Sequence, residues 1–220
     1  MAGSVDLAMM GRSRRGVSGC QASWAVMADR RRYKMGHQSS AESAMKTLPD
    51  HLRYTTGHCR LGGLLLAASE AGIAAILLGD GDEAMIADLQ QRFPTATLEP
   101  DTAGLDKDMR ALLRYVDHPL GKLDLQQPLA AHGSAFQKKV WAELAKVPAG
   151  QTITYAELAR RVGNPAAVRA VAGACAANPL AIVVPCHRVL RSDGGISGYR
   201  WGVQRKLQLI ELERQLASDG

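Results

Sequence analysis

The sequence predicts an α/β protein in two parts: a small N-terminal α/β domain followed by a mostly helical C-terminal domain with a helix-turn-helix. Two observations point there. Apolar runs at residues 61–68 and 73–78, separated by Ser69-Glu70-Ala71-Gly72, have the spacing of two strands joined by a turn. Past residue 134 the apolar residues instead recur at helical spacing, punctuated by Ser, Thr and Gly-Asn-Pro.

The elements follow in order. Residues 1–47 mix Gly, Ser and Met with basic clusters such as Arg12-Ser13-Arg14-Arg15 and Arg30-Arg31-Arg32, and read as a disordered or poorly ordered basic extension. They lack the amphipathic pattern of an organelle transit peptide. Residues 48–126 form the predicted N-terminal domain. After its two strands, Met85, Ile86, Leu89 and Phe93 mark a helix over 83–93 that Pro94 stops, and a second helix is expected over 106–116.

The stretch from Gly121 to Pro128 reads as a connector, so residues 127–220 are taken as the C-terminal domain. There Ser134 caps a helix carrying Phe136, Val140, Trp141 and Leu144. Thr154 caps the next, with Tyr155, Leu158, Ala159 and Val162, and Gly163-Asn164-Pro165 turns the chain into a third helix over 166–177. Two helices joined by a short Gly-containing turn are the helix-turn-helix pattern, which antiparallel helical pairs without DNA also use.

On the third helix, Val168, Val171 and Cys175 share one face, while Ala170, Gly173, Ala174 and Ala177 share the opposite one. A glycine inside a helix costs about 1 kcal/mol relative to alanine, so a face stripped of side chains implies a close neighbour. A tightly packed helix or a nucleic-acid groove would serve. Arg169 flanks that face as a solvated charge or phosphate contact. Beyond Asn178-Pro179, residues 180–184 are a continuous apolar run of buried-strand type that leads to Pro185-Cys186-His187.

A cysteine becomes a strong nucleophile only as thiolate, which a neighbouring base or cation favours; His187 and Arg188 are the candidates. Adjacent residues on a strand point to opposite faces, so a turn or a bridging water is needed for the imidazole to serve the thiol. The four cysteines form no CxxC pair, which fits reduced thiols and a cytoplasmic protein. Cys20, His58 and Cys59 match no zinc spacing, so neither metal nor cofactor is expected. No window approaches the roughly 18 apolar residues of a membrane span. The net charge of +6 favours a polyanion such as nucleic acid.

The run Pro185-Cys186-His187-Arg188-Val189, with Asn178-Pro179 before it and Gly198-Tyr199-Arg200-Trp201-Gly202 after it, resembles the O6-alkylguanine-DNA alkyltransferase (methylated-DNA–protein-cysteine methyltransferase) family. The likeness is nearest to the C-terminal half of its bacterial Ada-type members. It extends from about residue 48 to the C-terminus and includes Gly72-Ile73-Ala74-Ala75-Ile76-Leu77-Leu78-Gly79-Asp80.

The resemblance implies a ribonuclease H-like first domain and a winged-helix-like second one. It implies a monomer that binds duplex DNA through the minor groove, flips out O6-alkylguanine, and transfers the alkyl group irreversibly to Cys186; O4 of thymine is a second implied substrate. His187 would act as base through a water, Glu213 would orient it, and Tyr155 would donate to the purine. Arg169 would fill the place of the flipped nucleotide, with Ala170, Gly173, Ala174 and Ala177 against the groove. Asn178 would hold the turn, and the backbone around Val189, Tyr199 and Arg200 would wall the base pocket.

The Ada-type sensor and activator domains find no room in residues 1–47, so regulation is not expected. The residues by themselves leave two other readings: a helix-turn-helix regulator or alkylation sensor without repair, and a cysteine hydrolase, for which no oxyanion-hole signature is visible.

Overall fold

The computed structural model describes residues 48–218. The basic extension and Cys20 lie outside them. The N-terminal part is a four-stranded sheet with two helices. Strands β1 (His51–Cys59), β2 (Gly62–Ser69) and β3 (Gly72–Gly79) form an antiparallel meander, and β4 (Thr97–Pro100) runs parallel to β1, giving the order β3-β2-β1-β4. Helix α1 (Asp82–Arg92) packs on β2 and β3 through Met85 and Leu89, and α2 (Thr102–Asp117) lies against β1. The two expected strands are β2 and β3.

Three N-terminal features differ from expectation. Strand β1 is absent from the sequence reading because His51, Arg53, Thr56 and His58 dilute its apolar signal, although Leu52 and Thr55 are buried. Strand β4 has only four residues. Helix α2 begins at Thr102 rather than 106, because Asp101 accepts the Gly104 N–H at 2.8 Å and caps the first turn.

The C-terminal part is built on α3 (Ala135–Leu144), α4 (Tyr155–Arg161), α5 (Val168–Ala176) and α6 (Val203–Ser218). Ser134 closes a capping box with Gln137, and Thr154 accepts the Glu157 N–H, as their sequence positions predict. Helix α5 starts two residues later than expected. The Trp141 indole N–H donates to the Ala174 carbonyl at 2.8 Å and so fixes α3 on α5. A two-residue parallel pair, β5 (Ile153–Thr154) with β6 (Val189–Leu190), completes this part.

The open edge of β3 is closed by the rest of the chain. Ile73 exchanges hydrogen bonds with Pro128 and Ala130, and Ile76 with Pro179 and Ala181, all at 2.8–2.9 Å. One buried apolar cluster therefore runs from Leu52 to Leu209. Among the described residues no helix is long and apolar enough to cross a membrane.

Candidate active site

The segment after α5 delivers Cys186, and it does so as a turn. Residues 180–184 were expected to be a buried strand; only Leu180 makes a bridge, and the chain then curls, with the Val184 N–H donating back to the Leu180 carbonyl. Ile182 takes a left-handed φ of 69°, a conformation a β-branched residue accepts only where its surroundings hold it. Asn178 holds them. Its amide donates to the carbonyls of Leu180 and Val184 and to Cys186 Sγ, while its oxygen accepts the Leu180 N–H. The run is apolar because it is core, not because it is extended.

Cys186, His187 and Arg188 form one turn of 3₁₀ helix, which lifts the strand restriction on neighbouring side chains. All three are buried. His187 Nε2 lies 2.9 Å from Glu213 Oε1 on α6. Arg188 grips the same carboxylate through Nε at 2.9 Å and Nη2 at 2.7 Å, and its Nη1 donates to the Val147 carbonyl at 2.5 Å. The Gly150 N–H adds a fourth donor to Glu213. Arg188 thus neutralises Glu213 rather than facing the thiol. Read from sequence as a surface charge unless the resemblance raised it, Glu213 is buried.

Electrostatics follow from this packing. Burial favours a neutral Glu213, yet the hydrogen bonds and charges of His187 and Arg188 outweigh it and hold the carboxyl at about 2. For His187, burial outweighs the Glu213 contact and lowers its pKa below the ordinary 6.5, so the ring is neutral at neutral pH. With Nε2–H facing the carboxylate, the buried Nδ1 is a free acceptor, and it has no hydrogen-bond partner among the described residues. Burial pushes the Cys186 thiol up to about 11, against the pull of the Asn178 amide and the Lys206 charge. At rest the site pairs a neutral thiol with a neutral base.

Tyr155 opens α4 and is half-buried, its hydroxyl 2.8 Å from Ser197 Oγ. Ser197 also accepts from Lys206 Nζ at 2.8 Å, and Nζ donates to the Val189 carbonyl at 2.6 Å. Tyr199 meets the His187 ring edge-on at 6.4 Å. Arg200 turns its side chain away to Asp88 on α1, leaving its backbone as the part that can line a pocket. Sequence reading missed Lys206 and Ser197. Lys206, Leu209 and Glu213 are spaced i, i+3, i+7 and all buried, so two charged residues on the apolar stripe of α6 were a readable signal.

On α5, Arg169, Ala170 and Gly173 are exposed and Ala177 is partly so. Ala174 is a correction: it is buried, because its side of the helix turns toward Trp141. At Gly173, a Cβ would meet nothing within 4 Å. No other described segment packs on this glycine, which removes a tightly packed helix of this part as its reason. Among the described residues no cluster of three His, Cys, Asp or Glu gathers as for a metal.

Residues 135–215, which span α3 to α6, match the family described as 6-O-methylguanine DNA methyltransferase, DNA binding domain. The bifunctional transcriptional activator/DNA repair enzyme Ada of Escherichia coli is 51% identical over 166 residues, 74% of this chain. A methylated-DNA–protein-cysteine methyltransferase of Methanosarcina acetivorans is 37% identical over 153 residues, 70% of this chain and 92% of that protein. The chain belongs to the methylated-DNA–protein-cysteine methyltransferase family.

The methyltransferase fold extends to solved structures. The Mycobacterium tuberculosis OGT in complex with DNA superposes with a TM-score of 0.59 at 32% identity, covering 76% of this chain and 94% of that one. The Pyrococcus kodakaraensis O6-methylguanine-DNA methyltransferase does so at 0.54 and 26%, covering 74% and 98%. The resemblance drawn from Pro185-Cys186-His187-Arg188-Val189 therefore holds, as does the mixed α/β architecture. The chain spans about half the length of the Ada proteins of Escherichia coli and Salmonella typhimurium, 46% of each.

Proposed function

We propose that the chain is a single-turnover DNA-repair methyltransferase that moves a methyl or other alkyl group from O6 of guanine, and from O4 of thymine, in duplex DNA to Cys186. The observation that carries this is one buried clamp: Asn178 fixes Cys186, and the next residue, His187, is held by Glu213. The neutral His187 accepts the thiol proton at Nδ1 through a bridging water, and Glu213 stabilises the imidazolium that results. The thiolate attacks the saturated carbon, an S–C bond forms, the C–O bond breaks, and its electron pair stays on guanine. Tyr155 donates a proton to the purine so that the base leaves neutral. A thioether is not a leaving group here, so each molecule reacts once.

The alkylated atom lies inside stacked DNA, and extruding its base costs a few kcal/mol. We read α4 and α5 as the helix-turn-helix, in a winged-helix-like C-terminal domain of residues 127–220 beside a ribonuclease H-like domain of 48–126. Helix α5 enters the minor groove, roughly 6 Å wide, on its exposed Ala170 and Gly173 and on the partly exposed Ala177 that caps it, and Arg169 takes the place of the flipped nucleotide. The backbone of Val189, Tyr199 and Arg200 walls the base pocket. The reading includes a monomer that works in the cytoplasm, away from membranes.

Incubation with a duplex carrying one O6-methylguanine should raise the intact mass by one methyl group, mapped to Cys186, with one transfer per molecule. Tight DNA binding without that gain would overturn repair and leave a DNA-binding regulator or sensor. Gly173→Ala tests the groove contact. Thermal melting should show a gain of about 0.5–1 kcal/mol, because nothing opposes the new methyl and a helix-interior glycine is disfavoured. DNA titration should show weaker binding; unchanged affinity would exclude α5 from the groove.

A further inference from the structure

Lys206 is 0% exposed, yet among the described residues it forms no ion pair with a carboxylate. Its ammonium, a donor only, is satisfied by a carbonyl and a hydroxyl, those of Val189 and Ser197. A buried charge without a counter-charge is costly and is kept where something else compensates it. Burial disfavours its charge, and the thiols of Cys186 and Cys175, groups able to become negative, favour it. The lysine is therefore coupled to the nucleophile without touching it.

The hydrogen bonds also fix a direction. Lys206 must donate to Ser197 Oγ, and the partners of that oxygen are Lys206 and the Tyr155 hydroxyl. If Tyr155 donated to Ser197, the serine proton would have no acceptor among the described residues and would turn to solvent. The arrangement that keeps every one of these protons in a bond within the protein runs from Lys206 to Ser197 to the Tyr155 oxygen, and it leaves the phenolic proton free to point elsewhere.

We infer that Lys206 and Ser197 are positioning residues that act on alkyl transfer through Tyr155, by turning its hydroxyl into a donor for the bound base and resupplying its proton. The inference rests on the alkyl-transfer reading. As the C–O bond breaks and its electron pair passes to guanine, Tyr155 gives its proton to a ring nitrogen. Ser197 gives its own proton to the phenolate oxygen and takes one from Lys206 Nζ. Two protons move in all: one from the Cys186 thiol to His187, and one from Lys206 to guanine by way of Ser197 and Tyr155. A thiol and an ammonium become a thioether and an amine, while the imidazole becomes imidazolium and guanine leaves neutral, so charge is conserved. Burial lowers the pKa of Lys206, which eases the loss of its proton. Burial raises that of Tyr155 and the Ser197 hydrogen bond pulls it back, the sense expected of a serine that stabilises phenolate.

The test is a single-turnover transfer rate at saturating O6-methylguanine duplex, with DNA affinity measured separately. Ser197→Ala is expected to slow transfer about tenfold with affinity unchanged, a fraction of the roughly 100- to 10,000-fold that positioned proton transfer supplies. Ser197→Thr, which keeps the hydroxyl, should restore most of the rate. In a Tyr155→Phe background Ser197→Ala should have no further effect, because its route is already cut. A Ser197→Ala rate equal to wild type, a loss confined to affinity, or losses that multiply in the double variant would each overturn the relay. A wild-type chain that leaves Cys186 unmodified fails the functional reading itself, and that outcome is visible before any variant is made.

Discussion

Replacing Glu213 by alanine is expected to stop alkyl transfer and to cost the fold about 3–5 kcal/mol, the range for removing one member of a buried ion pair. The carboxylate receives His187, Arg188 twice and the Gly150 N–H in a space closed to water. Alanine leaves a buried guanidinium with the Val147 carbonyl and the Tyr115 hydroxyl but no counter-charge, and an imidazole with nothing to fix its tautomer or accept its charge. Glu213→Gln keeps the shape and one acceptor, so it should lose less stability while still slowing transfer. The pH dependence has a definite sign. Glu213 titrates near 4.5 when unfolded and at about 2 when folded, so its contribution is complete above about pH 4.5 and is lost as pH falls toward about 2. Urea unfolding of wild type across that window should show the loss, and Glu213→Ala should lack it.

Asn178→Ala should be nearly as damaging for a different reason. One amide serves the carbonyls of Leu180 and Val184, the Cys186 sulfur and the Leu180 N–H, all buried. Each buried polar group left unpaired costs about 1–3 kcal/mol, so a loss of about 3–5 kcal/mol in urea unfolding is expected. Asn178→Asp is the sharper probe, because a carboxylate keeps the acceptor for Leu180 but cannot donate to the carbonyls or to sulfur. Transfer should fall in both, since the turn that places Cys186 and the donor that favours its thiolate are lost together. A variant of normal stability and rate would show that the turn holds itself.

The parts of this architecture that were legible in the sequence are those whose physics is local. Ser134 and Thr154 cap where they stand, and the strands β2 and β3 carry long apolar runs with a Gly-containing turn between them. What was not legible depends on distant partners. Strand β1 is central in the sheet but half polar, so its place comes from β2 and β4 on either side. The run 180–184 has the composition of a strand and the shape of a turn because a single amide eight residues before Cys186 takes the hydrogen bonds a sheet would have taken. For the site, Cys186 and His187 were visible as an odd pair. Their support was not: Arg188 reaches across 25 positions to Glu213, and Ser197 gains meaning from Tyr155, 42 residues away, and from Lys206.

The hydrogen bonds along β3 carry a consequence for how the two halves could exist apart. A strand edge with buried, wholly apolar residues is a template for any other extended chain. Here it is occupied by Pro128 and Ala130 at one end and by Pro179 and Ala181 at the other, the latter only five residues before Cys186. Severing the polypeptide in the connector would expose that edge on one fragment and strip the active-site loop of its backing on the other. The first fragment should self-associate into aggregates, and the second should lose the geometry of its cysteine even with Asn178, His187 and Glu213 present. The sheet is thus a chaperone in cis for the loop that carries the thiol.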